Sequence, residues 1–80
     1  MPIDPYLGDR VFGPELLDPM NEAFGIMCNH LNLNASKDDP ATRRVAEAVI
    51  EAAQAGECEV MGLLAAAFKR LGLGNPLEAA

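Results

Sequence analysis

The run from Asp38 to Gly56, DDPATRRVAEAVIEAAQAG, constrains this chain more than any other, because its start, body and end are all written in residues with a definite physical job. Asp39 can accept a hydrogen bond from the free amides of a first helical turn. Pro40 lacks the N–H that would be orphaned there, so the pair marks an N-cap followed by the first helical residue. Val45, Val49, Ala52 and Ala53 recur on one side at helical spacing, with Ala46 and Ile50 beside them, while Arg43, Arg44, Glu47, Glu51 and Gln54 fall on the other. Gly56 supplies the left-handed residue that commonly ends a helix. The spacing therefore predicts a helix over about 40–55. Its apolar side takes roughly half the circumference or slightly more, wider than the ~100° stripe of an ordinary surface helix. Such a helix has to be packed from more than one direction, with the edge of Arg43, Arg44, Glu47, Glu51 and Gln54 facing water.

Two further helices are expected around it. Asp18-Pro19 repeats the cap-plus-proline pairing, and a proline in the second turn of a helix opened by Pro14 would lack a needed N–H and press on the preceding turn. The reading is a short turn, a break, and a main helix over about 19–31 that places Met20, Phe24, Met27 and Leu31 on one face with Ala23 and Cys28 at its flanks. Gly25 inside it costs about 1 kcal/mol against alanine and is read as a point of close approach by another backbone. The third helix is expected over about 59–71, closed by Gly72, with Val60, Met61, Leu64, Ala67, Phe68 and Leu71 inward and Leu63 off the main stripe. Lys69 and Arg70 fall in its last turn, where the helix dipole favours positive charge.

Residues 1–13 contain Pro2, Pro5, Gly8 and Gly13 without any period and read as an irregular arm. Its apolar residues, Ile3, Tyr6, Leu7, Val11 and Phe12, are numerous for a disordered tail, so part of it is expected to lie on the helices or on a partner. Asn32 to Lys37 reads as a polar loop anchored by Leu33, and 73–80 as a frayed tail. The fold class is all-α: a small three-helix bundle over 14–72, preceded by the arm.

A chain of 80 residues has a poor ratio of buried to exposed surface. With only Tyr6, Phe12, Phe24 and Phe68 as aromatics its core is thin, and such domains add disulfides, metals or oligomerisation. Cys28 and Cys58 occur without a basic start or an apolar signal core in MPIDPYLGDR, so reduced thiols in a cytoplasmic protein are expected. No apolar run approaches the ~20 residues that span a bilayer, and no membrane partner is expected. A net charge of −6, with the basic residues Arg10, Lys37, Arg43, Arg44, Lys69 and Arg70 in no block, argues against nucleic acid as a partner.

The residues that could carry chemistry are few. Cys28, His30 and Cys58, with Glu57 and Glu59 nearby, are the soft ligands, but positions two apart on a helix point to nearly opposite sides, so Cys28 and His30 would not converge on a zinc ion. Core thiols and an exposed histidine are the plainer reading. Cys58, at a helix start but between two glutamates, reads as a weak cap or a small buried group rather than a reactive thiol. One histidine, Ser36 and Thr42 as hydroxyl nucleophiles besides the tyrosine, and no glycine-rich phosphate loop make no catalytic constellation, so no catalytic residue, cofactor or metal is assigned. Ala52 and Gly56 have the spacing of a helix-turn-helix turn. The would-be recognition helix, however, opens with Glu57 and Glu59 and offers Gly62, Leu63 and Ala66 where base-reading groups belong.

The residues Phe12-x-Pro14-Glu15, Met20, Ala23-Phe24, Cys28, Leu31 and Leu33, followed by Asp39-Pro40-Ala41-Thr42, Val45-Ala46, Val49-Ile50, Ala53 and Gly56-Glu57, resemble the pattern of a group of small bacterial proteins of unknown function, chiefly alphaproteobacterial. The resemblance runs over about residues 12 to 71. It implies a short three-helix protein of a bacterial cytosol and brings no activity with it. In that group the residue matching Pro19 is ordinarily a helix former and the third helix carries more charge, so Pro19 and VMGLLAAAF are departures that bear on where the first helix begins and on oligomeric state.

The uncharged run VMGLLAAAF beside the broad face of the central helix leaves apolar surface that so short a chain has difficulty covering. The expected function is a non-enzymatic interaction module that self-associates, most simply as a dimer, or binds another protein. The expected interface comprises Val60, Met61, Leu63, Leu64, Ala67, Phe68 and Leu71 with Ala46 and Ile50. The alternative is a small-molecule site lined by Met20, Met27, Met61, Phe24 and Phe68, although those residue types at helical spacing more often form plain core. Metal analysis of the purified protein is expected to find no stoichiometric zinc; one ion per chain would contradict the core-thiol reading.

Overall fold

The wide apolar face of the central helix dictates the architecture. A computed structural model describes residues 3–33 and 39–72, so the expectations for Asn34 to Lys37 in the loop and for the tail 73–80 lie outside the described residues. A 3₁₀ turn over Asp4–Tyr6 is followed by three helices, α1 over Pro14–His30, α2 over Pro40–Gln54 and α3 over Val60–Arg70. Each helix packs against both of the others, and the 3₁₀ turn packs on α2. The chain is thus an all-α bundle.

Local chemistry sets the ends of α2 as its residues foretell. Asp39 is extended and its Oδ1 accepts from the Ala41 amide at 3.0 Å, with Pro40 in the first helical position. At the other end Gly56 has φ 111°, and the amides of Gly56 and Glu57 return to the carbonyls of Ala53 and Ala52. Those two bonds close the helix in a Schellman turn. Between the caps, Thr42, Val45, Ala46, Ala48, Val49, Ile50, Ala52 and Ala53 are buried. Helix α1 ends in the same motif with Asn32 as the left-handed residue, at φ 56°, and Leu33 donating to the Cys28 carbonyl at 2.8 Å. That bond holds Leu33 against the core as an anchor.

The start of α1 departs from the sequence reading. No break separates Pro14 from Pro19, and the helix runs through Pro19 from an N-cap at Gly13. The carbonyl that loses its partner belongs to Glu15, in the exposed first turn, where water can take the place of the missing amide. Continuing the helix brings Leu16 and Leu17 onto the core, and this tertiary gain outweighs the local penalty. Gly25 also differs from expectation: a β-carbon built there meets no atom within 4 Å, so no backbone approaches it.

In α3 the buried arc is Leu63, Leu64, Ala67 and Phe68, with Val60 and Leu71 half-buried. Leu63, placed off the stripe by the spacing, is fully enclosed, whereas Met61, placed inward, is 50% exposed. An uncharged run has no polar residues to mark its edges, so periodicity alone could not centre its face.

The arm belongs to the core. Ile3 is fully buried and its amide donates to Asn21 Oδ1 of α1 at 2.7 Å. Leu7 is also buried, and the Tyr6 ring meets Phe24 edge-on at 5.5 Å and 63°. Gly8, at φ 63°, turns the chain so that the Arg10 amide reaches the Leu7 carbonyl. Enclosing an isoleucine contributes about 1.5–3 kcal/mol, which is large on the scale of a domain this small.

Replacing Gly25 by alanine is expected to stabilise the protein by about 0.5–1 kcal/mol, because it gains helix propensity and meets nothing. Thermal denaturation of Gly25→Ala checks this. A lowered melting temperature would mean that the backbone approach read from the sequence exists after all.

Candidate functional site

Most residues expected to form an interface use their surface inside the chain. Ala46, Ile50, Leu63, Leu64, Ala67 and Phe68 lie in the core, Val60 and Leu71 are half-buried against it, and Met61 alone of the set is exposed. The residues considered for an apolar ligand pocket fare similarly. Met20, Phe24, Met27 and Phe68 are core, and neither of the two cavities described below is lined by any of them or by Met61.

The groups weighed for chemistry are scattered. Both cysteines are free thiols, Cys28 buried and Cys58 exposed, so Cys58 is not the small buried group expected. Nor is it the cap of α3, whose N-cap residue is Glu59, without a side-chain bond. The Glu57 carboxylate instead lies against Gly62 in the first turn, where negative charge suits the helix end. His30 is exposed and meets the Phe68 ring edge-on at 5.6 Å. Thr42 is fully enclosed, so its hydroxyl has no route to a substrate, and Ser36 lies outside the described residues. Among the described residues no three histidine, cysteine or carboxylate side chains gather into a metal-sized group, and no helix is long and apolar enough to cross a membrane.

The fold does assemble a surface groove along the outer flank of α2. One part, of about 480 Å³, is lined by Pro40, Arg43, Arg44, Glu47, Ala48 and Glu51 of α2 together with Arg70 and Leu71. A second part, of about 350 Å³, is lined by Leu31, Leu33, Ala41, Val45, Arg44 and Leu71. The two share Arg44 and Leu71, so a charged stretch continues into an apolar one whose walls are the C-terminal ends of α1 and α3. The polar edge of α2 is therefore one wall of a concave surface: Arg43, Arg44, Glu51 and Gln54 face water as expected, and Glu47 is half-buried.

The arm is tied to Glu47, one of the groove's lining residues, through Arg10. Its Nη1 and Nη2 donate to Glu47 Oε1 and Oε2 at 3.2 and 2.9 Å, while Nε donates to the Leu7 carbonyl at 2.8 Å and Nη2 also to the Tyr6 carbonyl at 3.1 Å. The bonds to Glu47 are the main reason the Arg10 pKa lies above its ordinary value. The fork both ties Arg10 to α2 and caps two arm carbonyls. Across the groove Arg70 Nε stands 3.6 Å from Glu51 Oε1, a looser pair between α3 and α2. Arg43 and Arg44 have no carboxylate at ion-pair distance among the described residues. The sequence could not reveal this site, because Leu31, Arg44 and Arg70 are far apart in the chain and only the bundle brings them to one groove.

Burial raises the Cys28 thiol pKa. As pH rises above the ordinary thiol range the unfolded chain therefore ionises first, and the stability held by the neutral thiol, intact below that range, declines until the folded group ionises too. A thiol reagent at mildly alkaline pH is expected to modify Cys58 at once and Cys28 only after denaturant is added; equal rates would contradict the packing. A double-mutant cycle on Arg10→Ala and Glu47→Ala is expected to give a coupling of about 0.5–1 kcal/mol, and a value near zero would mean that the fork does not hold the arm. Compared with protein-family models, with curated proteins and with solved structures, the chain finds no match in any of the three.

Proposed function

We propose that this chain is a non-enzymatic protein–protein interaction module of the cytoplasm, a small helical scaffold that holds another protein in the groove along α2. The observation that carries this reading is the groove itself, in which Arg43 and Arg44, without an ion-pair partner among the described residues, border a floor of leucine and valine. A concave surface that joins an apolar centre to a charged rim has the anatomy of a recognition site. Among the described residues no three histidine, cysteine or carboxylate side chains gather into a metal-sized group, which is in keeping with binding rather than catalysis.

Self-association through α3 and the inner side of α2 fits less well. A dimer built on Leu63, Leu64, Ala67, Phe68, Ala46 and Ile50 would have to open the chain's own core, at a cost comparable with unfolding so small a domain. The available surface is outside that core, and a different protein is the partner that the groove suits.

A photo-reactive residue placed at Ala41, exposed at the apolar end of the groove, tests the reading against the same group at Ile26 on the outside of α1. In extracts of the native host the Ala41 variant is expected to capture a discrete protein that the Ile26 variant does not. Capture of nothing, equal capture at both sites, or capture only of further copies of this chain would overturn it.

A further inference from the structure

Resting on the interaction-module reading, we infer that the α2 groove receives an amphipathic helix of the partner, one whose apolar ridge is flanked by carboxylates. Charge distribution is the first support. The chain carries a net charge of −6, yet three of its six basic residues, Arg43, Arg44 and Arg70, line the groove against the two carboxylates of Glu47 and Glu51. Glu47 accepts two bonds from Arg10 and Glu51 faces Arg70, which leaves Arg43 and Arg44 without an ion-pair partner among the described residues. A site with an excess of positive charge on an acidic molecule attracts an acidic segment.

The position of those arginines within α2 is the second support. The first turn of α2 contains no acidic residue, and Asp39 before it is engaged in capping the Ala41 amide. Arg43 and Arg44 open the second turn, and positive charge with no ion-pair partner among the described residues is suited to an anionic group brought from outside.

The apolar part of the groove decides what carries the anionic group. Leu31, Leu33 and Leu71 are half-buried beside Val45 and continue from the charged part through Arg44. Among the described residues both parts are clefts and not enclosed cavities, a shape that seats a row of side chains better than it encloses an acyl chain. No strand edge exists among the described residues for an extended peptide to join. A helix laid into a groove between helices is the recognition mode left to a bundle of this kind, with apolar anchors one turn apart and charged positions on either side. Arginine forks then take the flanking carboxylates, in pairs where geometry allows.

The test uses the full chain and two fluorescein-labelled synthetic peptides. One carries leucines at i, i+3, i+4 and i+7 with glutamates between them, and the other has lysine in place of every glutamate. By fluorescence anisotropy the glutamate peptide is expected to bind, more weakly as salt is raised, and the lysine peptide is not. The double charge reversal Arg43→Glu with Arg44→Glu is expected to weaken binding at least about tenfold, whereas Lys69→Glu, on α3 outside the groove lining, leaves it unchanged. Should the double variant fail to fold, Arg44→Gln, at the position common to both parts of the groove, is expected to weaken binding in the same direction. Equal binding of the two peptides, no binding of either, or an equal loss with Lys69→Glu would overturn the inference. So would a dimer that the Arg43 and Arg44 reversals dissociate, since a second copy would then occupy the groove. Site-selective capture at Ala41 without preference for the acidic peptide removes this inference and leaves the module reading, whereas absence of capture removes that reading itself.

Discussion

The breadth of the apolar face of α2 is the constraint on which the rest depends. Eight of its fifteen residues are buried, from Thr42 to Ala53, and one neighbouring helix cannot cover them all. Helices α1 and α3 cover two flanks, and the 3₁₀ turn of the arm packs on α2 as well. Ile3 and Leu7 thereby add large side chains to a core otherwise rich in alanine. A chain with so little interior would be marginal on its helices alone, so the arm supplies what disulfides or metals supply in other small domains. Arg10 and Asn21 secure it at both ends, one by its fork on Glu47 and the other by the bond from the Ile3 amide.

What could be read beforehand was what local chemistry decides. Asp39 caps α2 because a carboxylate beside Pro40 has a free amide within reach, and Gly56 and Gly72 take positive φ where α2 and α3 end. The leucine at position 33 is an anchor because the closing turn of α1 points its amide back at Cys28. Where tertiary packing overrules local preference the same reasoning failed. Pro19 marks a helix start by propensity, yet α1 passes through it to bury Leu16 and Leu17. Met61 and Leu63 exchanged places because nothing charged between Val60 and Phe68 marks the edge of the face. The arm has no period for its residues to announce a role, and its apolar content was the only hint that it joins the core.

The candidate site was the least legible part. Arg43, Arg44, Glu47 and Glu51 were visible as the polar edge of a helix, and a solvated edge is the ordinary meaning of such a pattern. They become a groove only because Arg70 and Leu71 end α3 beside them and Leu31 and Leu33 end α1 beyond them, while Arg10 of the arm bonds Glu47. The site and the arm are thus linked physically through Glu47, since whatever shifts Arg10 also alters the charge presented at the groove. The groove and the docking of the arm share that contact.

Native-state hydrogen exchange on the chain and on Ile3→Ala tests most directly whether arm and helices form one core. The core amides of α2 are expected to exchange only through global unfolding in the parent chain. Truncating a fully enclosed isoleucine is expected to lower their protection by about 2–5 kcal/mol, by the same amount in α1, α2 and α3. Faster exchange confined to residues 3–10, with the protection of α2 unchanged, would show that the bundle stands without its arm and would contradict this account.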